Sequence, residues 1–112
     1  MSTDSELMEL AAKAAGIPVK WEATHGCFWI KFGYGLEIKI WSPLTDDGDA
    51  LRLAVKLGLL VNVWSAASTT IVSTHEGGHI ADAEEHHYDG DPYAATRRAI
   101  VRAAAEIGRN LG

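Results

Sequence analysis

Apolar and polar positions along this chain follow two periods, and the places where the period changes mark the elements. From Ser2 to Ala15, Leu7, Leu10, Ala11 and Ala14 recur at helical spacing behind the capping candidates Ser2, Thr3, Asp4 and Ser5. Gly16 and then Pro18 stop the run. This predicts a first helix over Asp4–Ala15. From Val19 to Trp41 the period is two: Val19 and Trp21, then Phe28, Ile30 and Phe32 against Cys27, Trp29 and Lys31, then Leu36, Ile38 and Ile40 against Glu37 and Lys39. His25-Gly26 and Gly33-Tyr34-Gly35 interrupt it, so three antiparallel strands are expected.

A turn crowded with capping groups follows, Ser42-Pro43-Leu44-Thr45-Asp46-Asp47-Gly48-Asp49, with acids where the positive end of a helix dipole favours them. It predicts a second helix over Asp49–Leu57. Arg52 and Lys56, four apart, are its solvent side, and Ala50, Leu51, Leu53, Ala54, Val55 and Leu57 are expected to be buried. The Val-, Ile- and Thr-rich runs Leu59 to Trp64 and Ser68 to His75 read as strands joined by Ser65-Ala66-Ala67, with a further strand from His79 to Glu85. Asp91-Pro92 is an N-cap followed by the residue best tolerated at the first helical position, which opens a final helix over Pro92–Asn110. Its apolar set is Tyr93, Ala94, Ile100, Val101, Ala104, Ile107 and Leu111. Arg98, Arg102, Glu106 and Arg109 form the opposite, wet face. The expected architecture is a single α+β domain over residues 1–112, a mainly antiparallel sheet of five or six strands carrying three helices.

Composition narrows the function classes. At 112 residues and 47% hydrophobic, the chain can bury a core without a metal or disulfide staple. One cysteine, Cys27, cannot form an internal disulfide, and beside Phe28 and Trp29 it reads as a packed thiol. The first residues are acidic where a secretory leader would be basic, and no apolar run reaches spanning length, so a cytoplasmic protein is expected. Fifteen acids against ten bases give a net charge of −5, which disfavours sequence-independent binding to nucleic acid or anionic lipid. Of the tryptophans, Trp21, Trp29 and Trp64 lie in strand-like runs and are expected in the core. Trp41, beside Pro43, is the one expected at the surface.

The candidate chemistry centres on His75-Glu76-Gly77-Gly78-His79, which fits the zinc-peptidase pattern H-E-x-x-H. That pattern works on a helix, where the two histidines share a face and the glutamate holds the water that zinc acidifies. Two adjacent glycines weaken a helix by roughly 1 kcal/mol each, and β-branched residues lead into the motif. Gly77-Gly78 therefore reads as a hairpin turn, pairing Glu76 with His79 and His75 with Ile80 and setting His75 and His79 on opposite sides of the sheet. A weaker metal set remains: His75, His79, His86, His87 and Glu84, of which the adjacent pair His86-His87 would contribute one ligand at most. No cofactor is expected, and neither Cys27 nor any serine has the sequence context of a catalytic nucleophile.

The charge layout is more unusual than the motif. From His75 to Asp91 there are six acids (Glu76, Asp82, Glu84, Glu85, Asp89, Asp91), four histidines and no lysine or arginine; Arg97, Arg98, Arg102 and Arg109 come next. The two groups can pair internally or present patches of opposite sign to a protein partner, the candidate residues being Asp82, Glu84, Glu85, Arg98, Arg102 and Arg109. The order helix, strands, helix from Asp46 onward also matches that of double-stranded-RNA-binding domains. Those place lysines at the N-terminus of the last helix, where this chain has Asp89 and Asp91.

Two segments carry a family resemblance: Trp41-Ser42-Pro43-Leu44-Thr45-Asp46-Asp47-Gly48-Asp49-Ala50-Leu51-Arg52-Leu53-Ala54-Val55-Lys56-Leu57, and Asp91-Pro92-Tyr93-Ala94-Ala95-Thr96-Arg97-Arg98-Ala99-Ile100-Val101-Arg102-Ala103-Ala104-Ala105. With Leu10-Ala11-Ala12-Lys13-Ala14-Ala15-Gly16, they resemble a family of small phage and prophage proteins related to the phage ABA-sandwich domain. The resemblance implies an α-β-α sandwich and a phage or prophage origin, and brings no catalytic residues; Thr74 to Tyr88 falls outside it. The function expected is that of a non-enzymatic accessory protein, monomer or homodimer, which binds a host or phage protein in host takeover or anti-defence. Metal-dependent hydrolysis at the histidine cluster and nucleic-acid binding through Arg97, Arg98, Arg102 and Arg109 are the alternatives.

Overall fold

The computed structural model describes residues 3–32, 37–74, 83–87 and 90–111. Three helices and six strands follow in the order α1 (Asp4–Ala15), β1 (Val19–Glu22), β2 (Cys27–Phe32), β3 (Glu37–Trp41), α2 (Asp47–Leu57), β4 (Leu60–Trp64), β5 (Thr69–Ser73), β6 (Ala83–His86) and α3 (Pro92–Asn110). The class is α+β with antiparallel pairing, as the periodicity implies. The strands, however, form two three-stranded sheets, β1-β2-β3 and β4-β5-β6, and not one sheet of five or six. The chain leaves β3 into α2, so β4 starts a second sheet instead of extending the first.

Local chemistry accounts for the helix ends. Thr3, Asp46 and Asp91 cap the three N-termini, each side chain accepting an amide from the first turn. Gly16 and Gly58 end α1 and α2 in the left-handed conformation that glycine adopts without strain, with φ 68° and 64°. Ser65–Ala67 forms a single 3₁₀ turn between β4 and β5. The β1–β2 turn is held by Glu22, whose carboxylate accepts the amides of Thr24 and His25 at 3.0 and 2.8 Å.

The long helix α3 organises the packing, lying against α1, α2, β5 and β6. Small residues are buried on both helices, Ala11, Ala12 and Ala15 on α1 and Ala99, Ala103, Ala104, Ala105 and Gly108 on α3. The closest approach is at Gly108, where a Cβ would lie 2.0 Å from the Leu10 carbonyl oxygen. Thr70 and Val72 of β5, fully buried, and Ala83 of β6 face α3, and Thr70 Oγ1 meets Thr96 Oγ1 at 3.0 Å. In the first sheet the register places Val19, Ile30, Phe28 and Trp41 on the covered face, with Phe28 opposite Trp41.

Several burial expectations are overturned, for one physical reason: periodicity says which residues share a face but not which face is covered. On α2 the buried set is Asp49, Ala50, Leu53 and Ala54, so Leu51 (63% exposed) and Val55 (72%) join Arg52 and Lys56 outside. On α3, Tyr93 and Leu111 are exposed, at the two ends of a helix whose middle is covered. The tryptophans change places. Trp41 is buried on the covered face, whereas Trp21 sits on an edge strand against Phe28 and Trp64 stands exposed on the edge strand β4.

Candidate functional site

The arginine face of α3 is where sequence and structure meet most closely. Arg98 and Arg102, one turn apart, project toward β6 and the start of α1. Arg102 Nη1 donates to the Glu84 carbonyl at 2.9 Å and to Glu85 Oε1 at 2.7 Å. Arg98 Nη1 donates to Asp4 Oδ1 at 3.1 Å, and its Nε lies 3.7 Å from the same Glu85 carboxylate. Glu85, on the α3-facing side of β6 opposite Thr70, thus receives two guanidinium groups. Among the described residues of the acidic segment, Glu85 is thus paired internally with Arg98 and Arg102.

Arg97 points another way, with only 16% of its side chain exposed. Its Nε donates to the Leu44 carbonyl at 2.8 Å and its Nη1 to Asp47 Oδ1 at 2.6 Å, fastening α3 to the N-terminus of α2. Arg109, near the far end of α3, pairs with Glu106 one turn back. The four arginines therefore do not form one basic surface. Arg97, Arg98 and Arg102 each hold a carboxylate from another element, and a phosphate backbone would have to displace those partners.

Of the histidine cluster, His86 and His87 are described. His75 and His79, with Asp82 and the turn expected at Gly77-Gly78, lie outside the described residues; β5 and β6 on either side of them pair antiparallel, Val72 opposite Ala83. His86 is on the outer face of β6, its Nδ1 3.2 Å from Thr69 Oγ1 and its Nε2 3.4 Å from Glu84 Oε1. His87 takes the next position; its amide donates to the Ser68 carbonyl, and its buried Nε2 has no hydrogen-bond partner among the described residues. Among the described residues no three His, Cys, Asp or Glu side chains come together as a metal-holding group.

Sequence reasoning missed a charged centre inside the resemblance segment. Asp49 is 3% exposed. Its carboxylate accepts the Ser42 amide at 3.0 Å and Arg52 Nη2 at 2.9 Å, and lies 3.1 Å from Lys39 Nζ, while its own amide donates to Asp46 Oδ2 at 2.8 Å. Burial pushes this carboxyl up, but the Ser42 amide, Arg52 and Lys39 together outweigh it and hold the group below the ordinary carboxylate range. The signal that could have found it is Lys39. The register puts it opposite Ile30, on the same face as Phe28 and Trp41, and a lysine there calls for an acid.

Two open grooves are lined by described residues. The larger, about 800 Å³, runs between α1 and β1. Leu10, Ala12, Ile17, Pro18 and Val19 form its floor, and Glu6, Glu9, Lys13 and Arg109 its rim. The smaller, about 460 Å³, lies on the uncovered face of the first sheet between His25, Cys27, Trp29 and Ile40. Cys27 is accordingly half-buried in a groove wall and not packed in the core; its sulfur accepts from Trp29 Nε1 at 3.3 Å. Among the described residues, no helix is long and apolar enough to cross a membrane. Compared with models of protein families, with curated proteins and with solved structures, the chain matches none.

Proposed function

We propose that this chain is a phage- or prophage-encoded accessory protein that acts without catalysis, in the cytoplasm of the host, by binding a host or phage protein in host takeover or anti-defence. The observation that carries the reading is the groove between α1 and β1, where an apolar floor is bordered by charges of both signs. That is the anatomy of a protein-recognition surface: apolar contact at the centre, charge at the rim for orientation and selectivity. Arg109 of the sequence-derived candidates belongs to this rim, whereas Arg98 and Arg102 brace the fold beside it. The family resemblance in the segments ending at Leu57 and Ala105 supports the phage origin.

The test exchanges two rim charges. Glu9 and Lys13 are exposed, four apart on α1, so the double variant E9K/K13E keeps the net charge and reverses the local field. Affinity capture from a bacterial lysate, quantified by mass spectrometry, is expected to show a specific partner with the natural chain and its loss with the exchange. An unchanged set of captured proteins would count against the groove. Calorimetric titration with zinc addresses the hydrolase alternative: a nanomolar site abolished by replacing His75 and His79 together would favour that reading instead.

A further inference from the structure

We propose that β4 is a self-complementary edge through which two copies of this chain pair antiparallel, joining their second sheets into one six-stranded sheet. This inference is independent of the groove. The two sheets have four outer strands: β1, β3, β4 and β6. Lys20 and Glu22 lie in β1, Lys39 in β3, and Glu84 and Glu85 in β6; charges of this kind blunt an edge against pairing with another chain. β4, Leu60-Val61-Asn62-Val63-Trp64, has no charge, no proline and no glycine. It lies within a stretch from Leu57 to His75 free of Asp, Glu, Lys and Arg, in a chain that is 22% charged. Among the described residues its outer edge has no backbone partner.

Side-chain placement indicates what covers it. Leu60 is 51% exposed, Val63 47% and Trp64 56%, large apolar groups on a strand that presents a row of unpaired amides and carbonyls. An antiparallel pair centred on Asn62 sets Leu60 opposite the second copy's Trp64 and Val61 opposite the second copy's Val63. The two Asn62 amides then meet on the two-fold axis, where each can donate to the other. Residues directly opposite in an antiparallel ladder share a face, so Leu60 and Trp64 meet across copies on one face and Val61 and Val63 on the other, and each exposed apolar group gains an apolar neighbour. The chain's net charge of −5 disfavours self-association elsewhere, and the neutral edge brings no like charges into opposition. The contact is smaller than the roughly 1,200 Å² of a standard stable interface, so the dimer forms in a concentration-dependent equilibrium.

Two measurements test this. Sedimentation equilibrium of the natural chain should show a mass moving from 12.1 kDa toward twice that with concentration. Asn62→Lys, which opposes two ammonium groups on the axis, should weaken dimerisation by about tenfold or more. Independently, Asn62→Cys in a Cys27→Ser background should form a disulfide-linked dimer on oxidation, because opposed residues bring their Cα atoms to about 4.5–5.5 Å, within disulfide reach. A cysteine at exposed Val55 should not. A natural chain that stays at 12.1 kDa up to about 1 mM, where even weak pairing registers, would overturn the proposal. So would a dimer unaffected by Asn62→Lys whose Asn62→Cys form links no faster than the Val55→Cys control.

Discussion

At the scale of single residues, the structure rests on a few side chains whose surroundings are more demanding than their sequence neighbours suggest. Asp49 is the clearest. Replacing it by alanine leaves the Ser42 amide, Arg52 and Lys39 without their acceptor, and is expected to cost about 2–3 kcal/mol in chemical denaturation. The pH dependence follows from the direction of its shift. The folded carboxyl titrates below its ordinary value of 3.8, so its contribution is whole above that value and is lost as the pH falls through the folded pKa. Natural protein should therefore lose stability steeply on the acid side, and Asp49→Asn should flatten that loss; an unchanged acid limb would remove Asp49 from the account. Gly108 is the second case. A methyl group 2.0 Å from the Leu10 carbonyl oxygen forces α1 and α3 apart, so Gly108→Ala should destabilise by about 2–3 kcal/mol, read as a fall in melting temperature.

Among the elements, α3 is a brace whose arginines fasten other elements to it by links of unequal weight. Arg97, mostly covered and bonded to the Leu44 carbonyl and to Asp47, should cost about 2 kcal/mol on replacement by alanine. Arg102, with 43% of its side chain exposed, should cost about 1 kcal/mol or less, and a double-mutant cycle with Glu85→Gln should show coupling of similar size. The helix limits were legible in the sequence because caps are local: Thr3, Asp46, Asp91, Gly16 and Gly58 act within a turn of their own positions. Capped by Asp46, α2 starts at Asp47, two residues earlier than the Asp49 start expected, and Asp49 turns inward. The strands were legible by their period of two, but their division into two sheets was not, since strand pairing is decided by partners distant in sequence. The exchange of buried and exposed tryptophans has the same origin: Trp41 and Trp64 both fit a strand, and only the layer packed against each decides its exposure.

For the molecule as a whole, the described arginines Arg97, Arg98 and Arg102 and the acid Glu85 hold elements of the fold together. The proposed recognition surface is the groove between α1 and β1, and the proposed contact between copies is the separate edge β4. Part of the groove was readable. Arg109 stood among the candidate residues, and Leu10 and Val19 in the apolar patterns, but nothing local in the sequence brings α1, β1 and the end of α3 together. The most direct test is a hydrogen-exchange footprint of a captured partner on this chain. The account predicts added protection on the α1 stretch from Glu6 to Lys13 and on Ile17 and Val19, with β6 and the Arg98–Arg102 stretch unchanged. Protection confined to Glu84, Glu85 and the arginine face of α3 would contradict it.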